Sequence, residues 1–125
     1  MNVPSPFARP LAGAYPDVAI DGLVLAAVAS SAWFAFNLSG GKDSTAAAQA
    51  GNALLDQLGH PRSRRIAIHA DLGRAEWRST PATVAAVAER LGLPLVVVRR
   101  GAGDMVARWE QRFANGCRRY EDLEL

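Results

Sequence analysis

The stretch Asn37-Leu-Ser-Gly-Gly-Lys-Asp-Ser-Thr45, NLSGGKDST in one-letter code, decides how this chain is read. It closes the apolar run Trp33 to Leu38 (WFAFNL) and opens a segment of helical periodicity, so its paired glycines stand where a strand turns into a helix. Such a turn aims a row of backbone N–H groups outward from the start of a helix whose dipole favours anions. The hydroxyls of Ser39, Ser44 and Thr45 add donors, and Lys42 adds a positive point charge. A phosphate suits that set. Asp43 conflicts with it unless the carboxylate caps the helix or holds a divalent cation that bridges to the phosphate oxygens, which points to magnesium at Asp43.

Working outward, Ala47, Ala50, Leu54 and Leu58 form one helical stripe that stops at Gly59, with Pro61 just beyond. The small side chains let that helix lie close on a sheet. Ile66 to Ala70 (IAIHA) reads as a second strand with Asp71 at its C-terminal end. Thr80 and Pro81 suit the cap and first turn of a helix carrying Val84, Val87 and Leu91, closed by Gly92 and Pro94. Leu95 to Val98 (LVVV) reads as the third strand, and Met105, Trp109 and Phe113 place a core-facing stripe on a last helix. Before the first strand, Ile20, Leu23, Val24, Ala27 and Val28 recur at helical spacing from Asp17 to about Ser30. Residues 1 to 16 hold Pro4, Pro6, Pro10 and Pro16 without periodicity and read as an irregular arm.

Strand and helix alternate, and the strands are apolar on both faces, so the expected fold is α/β: a Rossmann-like parallel sheet flanked by helices. Right-handed crossovers put the strand C-termini on one rim, where ligands of open α/β sheets bind. The glycine turn, Asp71, and the pair Arg99 and Arg100 share that rim. Arg99 and Arg100 are candidates for a substrate anion, while Arg62, Arg64 and Arg65 precede a strand and are assigned to surface at the other end.

At 125 residues and 13.3 kDa the chain makes one domain at most. Its net charge of +2 gives no footing for nucleic acid by itself, and Lys42 is its single lysine. Cys117 stands alone, which excludes an intrachain disulfide or CxxC pair and suits a reducing cytoplasm. The tract Leu23 to Ala32 imitates a signal-peptide core, but Asp17 and Asp21 precede it. Asp21 and the pair Ser30 and Ser31 also break it before the roughly 18 apolar residues of a membrane span, so no membrane partner is expected. His69 lies inside a strand and reads as a core histidine bonded to backbone.

The Walker pattern fails because position 36 is Phe and Asp43 follows the lysine, and GxGxxG fails for want of a third glycine. SGGKDST (39 to 45) instead resembles the PP-loop signature SGGxDS of the adenine nucleotide α-hydrolase superfamily. Within it, FNLSGGKDSTAAA (36 to 48) and IHADLGRAEW (68 to 77) are similar to the phosphoadenosine-phosphosulfate reductase-like branch, anchoring roughly residues 17 to 100. The resemblance implies that Ser39, Gly40, Gly41, Lys42, Asp43, Ser44 and Thr45 hold the phosphates of ATP or phosphoadenosine phosphosulfate (PAPS). It places Asp71 to Gly73 near base and ribose, with Trp77 a stacking candidate. In ATP-using members the α–β phosphate bond is split, so Lys42 and Asp43 would carry the catalytic roles with Mg2+.

The family pattern DTG reads Asp71-Leu72-Gly73 here, and the ECGxH cysteine motif of the reductases is absent. Those proteins run about twice this length. The resemblance therefore implies a fold cut short after the third strand, in a half-domain completed by another copy or a partner subunit or in a truncated product. Two rival functions stand beside the enzyme: a non-catalytic nucleotide-binding module, and an ATP-dependent sulfurtransferase acting on tRNA or DNA.

Overall fold

The computed structural model describes residues 18–123; the expected N-terminal arm lies outside them. Three parallel strands, β1 (Phe34–Asn37), β2 (Arg65–Asp71) and β3 (Leu95–Arg99), form one sheet in the order β1-β2-β3. The helices are α1 (Gly22–Ala29), α2 (Lys42–Gln57), α3 (Thr80–Leu91) and α4 (Met105–Leu123), with short 3-10 turns at Arg62–Arg64 and Gly73–Ala75. The chain is thus α/β, with a small parallel sheet flanked by helices, as the alternation of periods required. Phe34 pairs with Arg65, Asn37 with Ile68, and Asp71 with Arg99.

The core is a cluster of Leu38, Ala48, Ala67, Val84, Val87, Ala88 and Leu93, with Phe36, Leu91 and Leu95 packed against it. It joins α2 and α3 to the sheet. Gly51 lets α2 lie against β1, because a Cβ there would stand 2.8 Å from Cε1 of Phe36. The first helix is shorter than its periodicity suggests. It begins at Gly22 because the Asp21 carboxylate accepts the Val24 amide at 3.0 Å and caps it.

Two expectations about the core fail at its margins. Val96, Val97 and Val98 keep 42–46% exposure, so β3 is an edge strand with incompletely covered faces rather than a buried one. Trp109 and Phe113, expected inside, are 58% and 75% exposed. The cause is the way α4 is attached. Its first turn is tied to the Gly73–Ala75 region by Met105 N–H donating to the Leu72 carbonyl (3.2 Å) and by the ion pair of Arg74 with Asp104 (2.7 Å), so the rest of its stripe is not laid on the sheet.

Arg65 is the third correction. Expected on the surface, it is 1% exposed at the start of β2. Its guanidinium donates to the Asp56 carboxylate (2.7 Å), Asn52 Oδ1 (2.9 Å), the Asn52 carbonyl (3.2 Å), His60 Nδ1 (3.2 Å) and the His60 carbonyl. His60 then donates from Nε2 to the Ala32 carbonyl at 2.8 Å, which fixes its tautomer. Burial pushes the Asp56 carboxyl up, but hydrogen bonds from Arg62 and Arg65 outweigh it and hold the group below its ordinary value. A buried arginine needs this complete a shell, since an orphaned partner would cost more than the bond contributes. Arg65→Met should therefore lose about 3 kcal/mol in urea unfolding. A loss under about 1 kcal/mol would show that the shell is not a structural anchor.

Candidate functional site

The loop Ser39–Gly41 leaves β1 and enters α2 through a tight internal knot. Ser39 N–H donates to Ser44 Oγ (3.2 Å), the two serine hydroxyls lie 3.0 Å apart, and Ser44 Oγ donates to the Gly41 carbonyl (3.2 Å). Thr45 Oγ1 donates to the same carbonyl at 2.8 Å. Three of the hydroxyls expected to face a ligand are thus spent partly on closing the loop. Gly41 is the N-cap residue and offers no side chain to the first-turn amides, and Asp43 sits inside the first turn rather than capping it. Lys42 and Asp43 have no residue four positions back within the helix to accept their amides, and both are exposed. The start of α2 is therefore open to an acceptor from outside.

The two glycines have different jobs. Gly40 takes φ +86, a left-handed conformation, and a Cβ there would lie 2.9 Å from Cγ2 of Thr80. Gly41 has extended backbone (φ −91, ψ 168) and would meet nothing closer than Ser39 Oγ at 3.6 Å. Thr80, expected as a cap of α3, is instead a buried residue within that helix, packed over the turn; Ser79 is the N-cap residue.

Beside the loop lies a cavity of about 290 Å³ lined by Asn37, Ser39, Ala70, Leu72, Trp77 and Thr80, with His69 and Glu76 in its wall. Trp77 is 84% exposed, so one edge of the cavity carries an aromatic face that is free to meet a planar ligand. His69 is bonded to backbone as its position in a strand suggested, with Nδ1 donating to the Leu38 carbonyl at 2.7 Å. Its contact with Glu76, at 3.3 Å, had no signal in the sequence, since the two are seven positions apart across a turn.

Asp71 stands on the same rim, where one carboxylate oxygen accepts the Gly73 amide (2.8 Å) and the other accepts Arg99 Nε (2.6 Å). The Gly73 hydrogen bond and then Arg99 hold this carboxyl below the usual carboxylate range. Arg99 is thus drawn into an ion pair, though it remains exposed, and Arg100 turns back to donate to the Ala102 carbonyl at 2.8 Å. A hollow lined by Asp71, Gly73, Arg99, Arg100 and Asp104 lies between them. Of the predicted loop residues Ser39 lines the cavity with His69 and Glu76, whereas Gly40 to Thr45 are not in its lining, and Asp71 and Gly73 are grouped with the arginines in the other hollow. Among the described residues no three His, Cys, Asp or Glu side chains gather into a metal-binding group, so a cation at Asp43 would depend on ligand oxygens for its remaining coordination. No helix among the described residues is long and apolar enough to cross a membrane.

Compared with protein-family models, with curated proteins and with solved structures, the chain matches none.

Two outcomes test this geometry. Gly40→Ala should cost about 1–2 kcal/mol or more in thermal or urea unfolding, and Gly41→Ala under about 0.5. Equal costs would contradict the assignment of the strained position. Asp104, held far below the usual range by Arg74 and by the Ala107 amide, supplies stability that is present above pH 4 or so and is lost as pH falls through its depressed value. Asp104→Asn should therefore flatten the acid limb of a pH–stability curve. An unchanged limb would show that the pair is not linked to folding.

Proposed function

We propose that the chain binds an adenine nucleotide, ATP or PAPS, with its phosphates on the loop Ser39–Ser44, as a PP-loop protein of the reductase-like branch. The observation that carries this reading is a juxtaposition in sequence and space: Ser39, which lines a cavity with the exposed Trp77 in its wall, stands two residues before the N-cap of α2, whose exposed first turn has no side-chain cap. An anion at the helix start and a base in the cavity would use both at once.

In this reading the amides of Lys42 and Asp43 and the Lys42 ammonium take the charge of the phosphates, with the Gly41 amide, which donates to Ser39 Oγ at 3.4 Å, free to turn to them. If ATP is cleaved between the α and β phosphates, the same donors favour the transition state, because negative charge grows on the departing pyrophosphate. Magnesium, when bound, neutralises phosphate charge, and Asp43 is the residue placed to hold it. Asp71 and Gly73 lie on the ribose side of the rim. Arg99 keeps guanidinium N–H groups beyond the one given to Asp71 and is the nearer candidate for a sulfate or second phosphate. No cysteine stands in a reductase motif, so attack on a sulfate sulfur is not assigned to this chain alone.

A second reading, a nucleotide-binding module that acts with a partner, is favoured by the exposed Val96–Val98 and by Trp109 and Phe113 on α4. Apolar surface of that kind is more often covered than left to water. The readings part on whether pyrophosphate is released.

Calorimetric titration with ATP, AMP and PAPS, with and without magnesium, checks the proposal. Lys42→Ala should weaken ATP about tenfold or more while changing AMP little, and Asp43→Ala should reduce the magnesium dependence. Gly41→Val should abolish binding by covering the amides. Full affinity in Gly41→Val, or equal effects of Lys42→Ala on ATP and AMP, would refute the phosphate assignment.

A further inference from the structure

The last helix is bare on a second side besides the one that carries Trp109 and Phe113. From Arg108 to Arg119 every residue of α4 except Gly116 is exposed. Arg108, Arg112, Asn115 and Arg119 recur at i, i+4, i+7 and i+11 with Gln111 beside them, so they stand in one row along the helix. These five and Gly116 form the described lining of one hollow, and no carboxylate is among them. Among the described residues none of the three guanidiniums has an ion-pair partner or a hydrogen-bond acceptor; Glu110 lies on the opposite side of the helix, 3.8 Å from Arg74. The net charge of +2 conceals this row, because it averages over acidic groups on other elements.

Three guanidiniums in a row call for counter-charge, and each presents a planar fork of N–H donors that suits phosphate oxygens. Gln111 and Asn115 narrow the choice of anion. Charge alone engages the arginines and leaves the two amides idle, whereas the edges of DNA bases use both, since Asn and Gln pair with adenine through two hydrogen bonds. An anionic lipid surface would take the side with Trp109 and Phe113 and leave the row of arginines and amides in water.

Shape agrees with chemistry. The 19 residues of α4 are tied down at the first turn, where Met105 N–H donates to the Leu72 carbonyl and Asp104 pairs with Arg74, so the stretch from Arg108 onward stands clear of the sheet. A helix with its side chains is about 10–12 Å across, and the major groove of B-form DNA is about 12 Å wide. The deep, narrow major groove of an RNA duplex excludes it. From Arg108 to Arg119 the row runs about 16 Å, roughly five base-pair steps. We infer that α4 binds duplex DNA by entering the major groove, with Arg108, Arg112 and Arg119 on backbone phosphates and Gln111 and Asn115 facing base edges. This goes beyond nucleotide binding and does not depend on it, since the row shares no residue with the cavity beside the glycine loop.

The test is fluorescence anisotropy of a labelled DNA duplex of about 20 base pairs with the full chain, without ATP, from about 50 to 200 mM salt. Wild type should bind at about 1–100 μM, and log K should fall against log salt with a slope of about −2.7 for three phosphates. R108Q, R112Q and R119Q should each flatten that slope by about 1. R90Q, which removes an exposed arginine of α3, should leave it unchanged. Q111A and N115A should keep the slope and change which sequences are enriched from a random duplex pool. All five side chains are exposed, so thermal unfolding should be the same in every variant, which separates lost binding from a lost fold. No duplex binding at the lowest salt, or a slope unchanged when all three arginines are replaced, would overturn the inference. So would single-stranded DNA or duplex RNA bound as tightly as duplex DNA, or binding to phosphatidylserine vesicles alone.

Discussion

The left-handed backbone at Gly40 is the constraint on which the rest of the molecule depends. It turns the chain from β1 into α2 within the four residues Leu38 to Gly41, and Thr80 of α3 fills the space where any side chain at position 40 would stand. The turn, the position of α2 over the sheet and the approach of α3 are thus fixed by one contact. Because the cap residue is Gly41, no side chain takes the first amides of α2, and they stay available. A serine or aspartate at that position would stabilise the helix and satisfy the same donors. With glycine as the cap residue the loop forgoes only about a few tenths of a kcal/mol.

The two ends of the sheet divide the labour. At the N-terminal end of β2, Arg65 is buried in a fully satisfied shell of Asn52, Asp56 and His60, which pins α2 and the following turn to the strand. At its C-terminal end the polar groups are exposed or paired in ways a ligand could rearrange, as with Asp71 and Arg99. Rigidity sits at one pole and adaptable charge at the other. A scaffold that keeps its strongest buried network away from its open rim can change ligation there without paying in stability.

Much of this was legible from periodicity and punctuation. The three strands and the helices between them follow from short apolar runs, from the glycines at 59 and 92, and from Pro81, and each falls within a few residues of its expected place. What was not legible depended on partners distant in sequence. Arg65 reads as surface because an arginine is rarely buried, and nothing local shows that Asn52, Asp56 and His60 converge on it. Trp109 and Phe113 carry the spacing of a core helix, but spacing does not say whether a second surface arrives to cover them. The site divides the same way. The strand-to-helix turn at SGGKDS was legible from its glycines, while the His69–Glu76 contact exists only because the turn after Asp71 folds back over β2.

The central claim is that the exposed amide end of α2 grips the phosphoryl tail of a purine nucleotide. Its most direct measurement is an amide NMR titration with ATP and magnesium, residue by residue. The account predicts the largest and saturable shifts at Gly40 to Ser44, with Trp77 responding to nucleotide and not to pyrophosphate alone. Shifts that leave Gly40 to Ser44 unmoved while gathering on the arginines of α4 would contradict it.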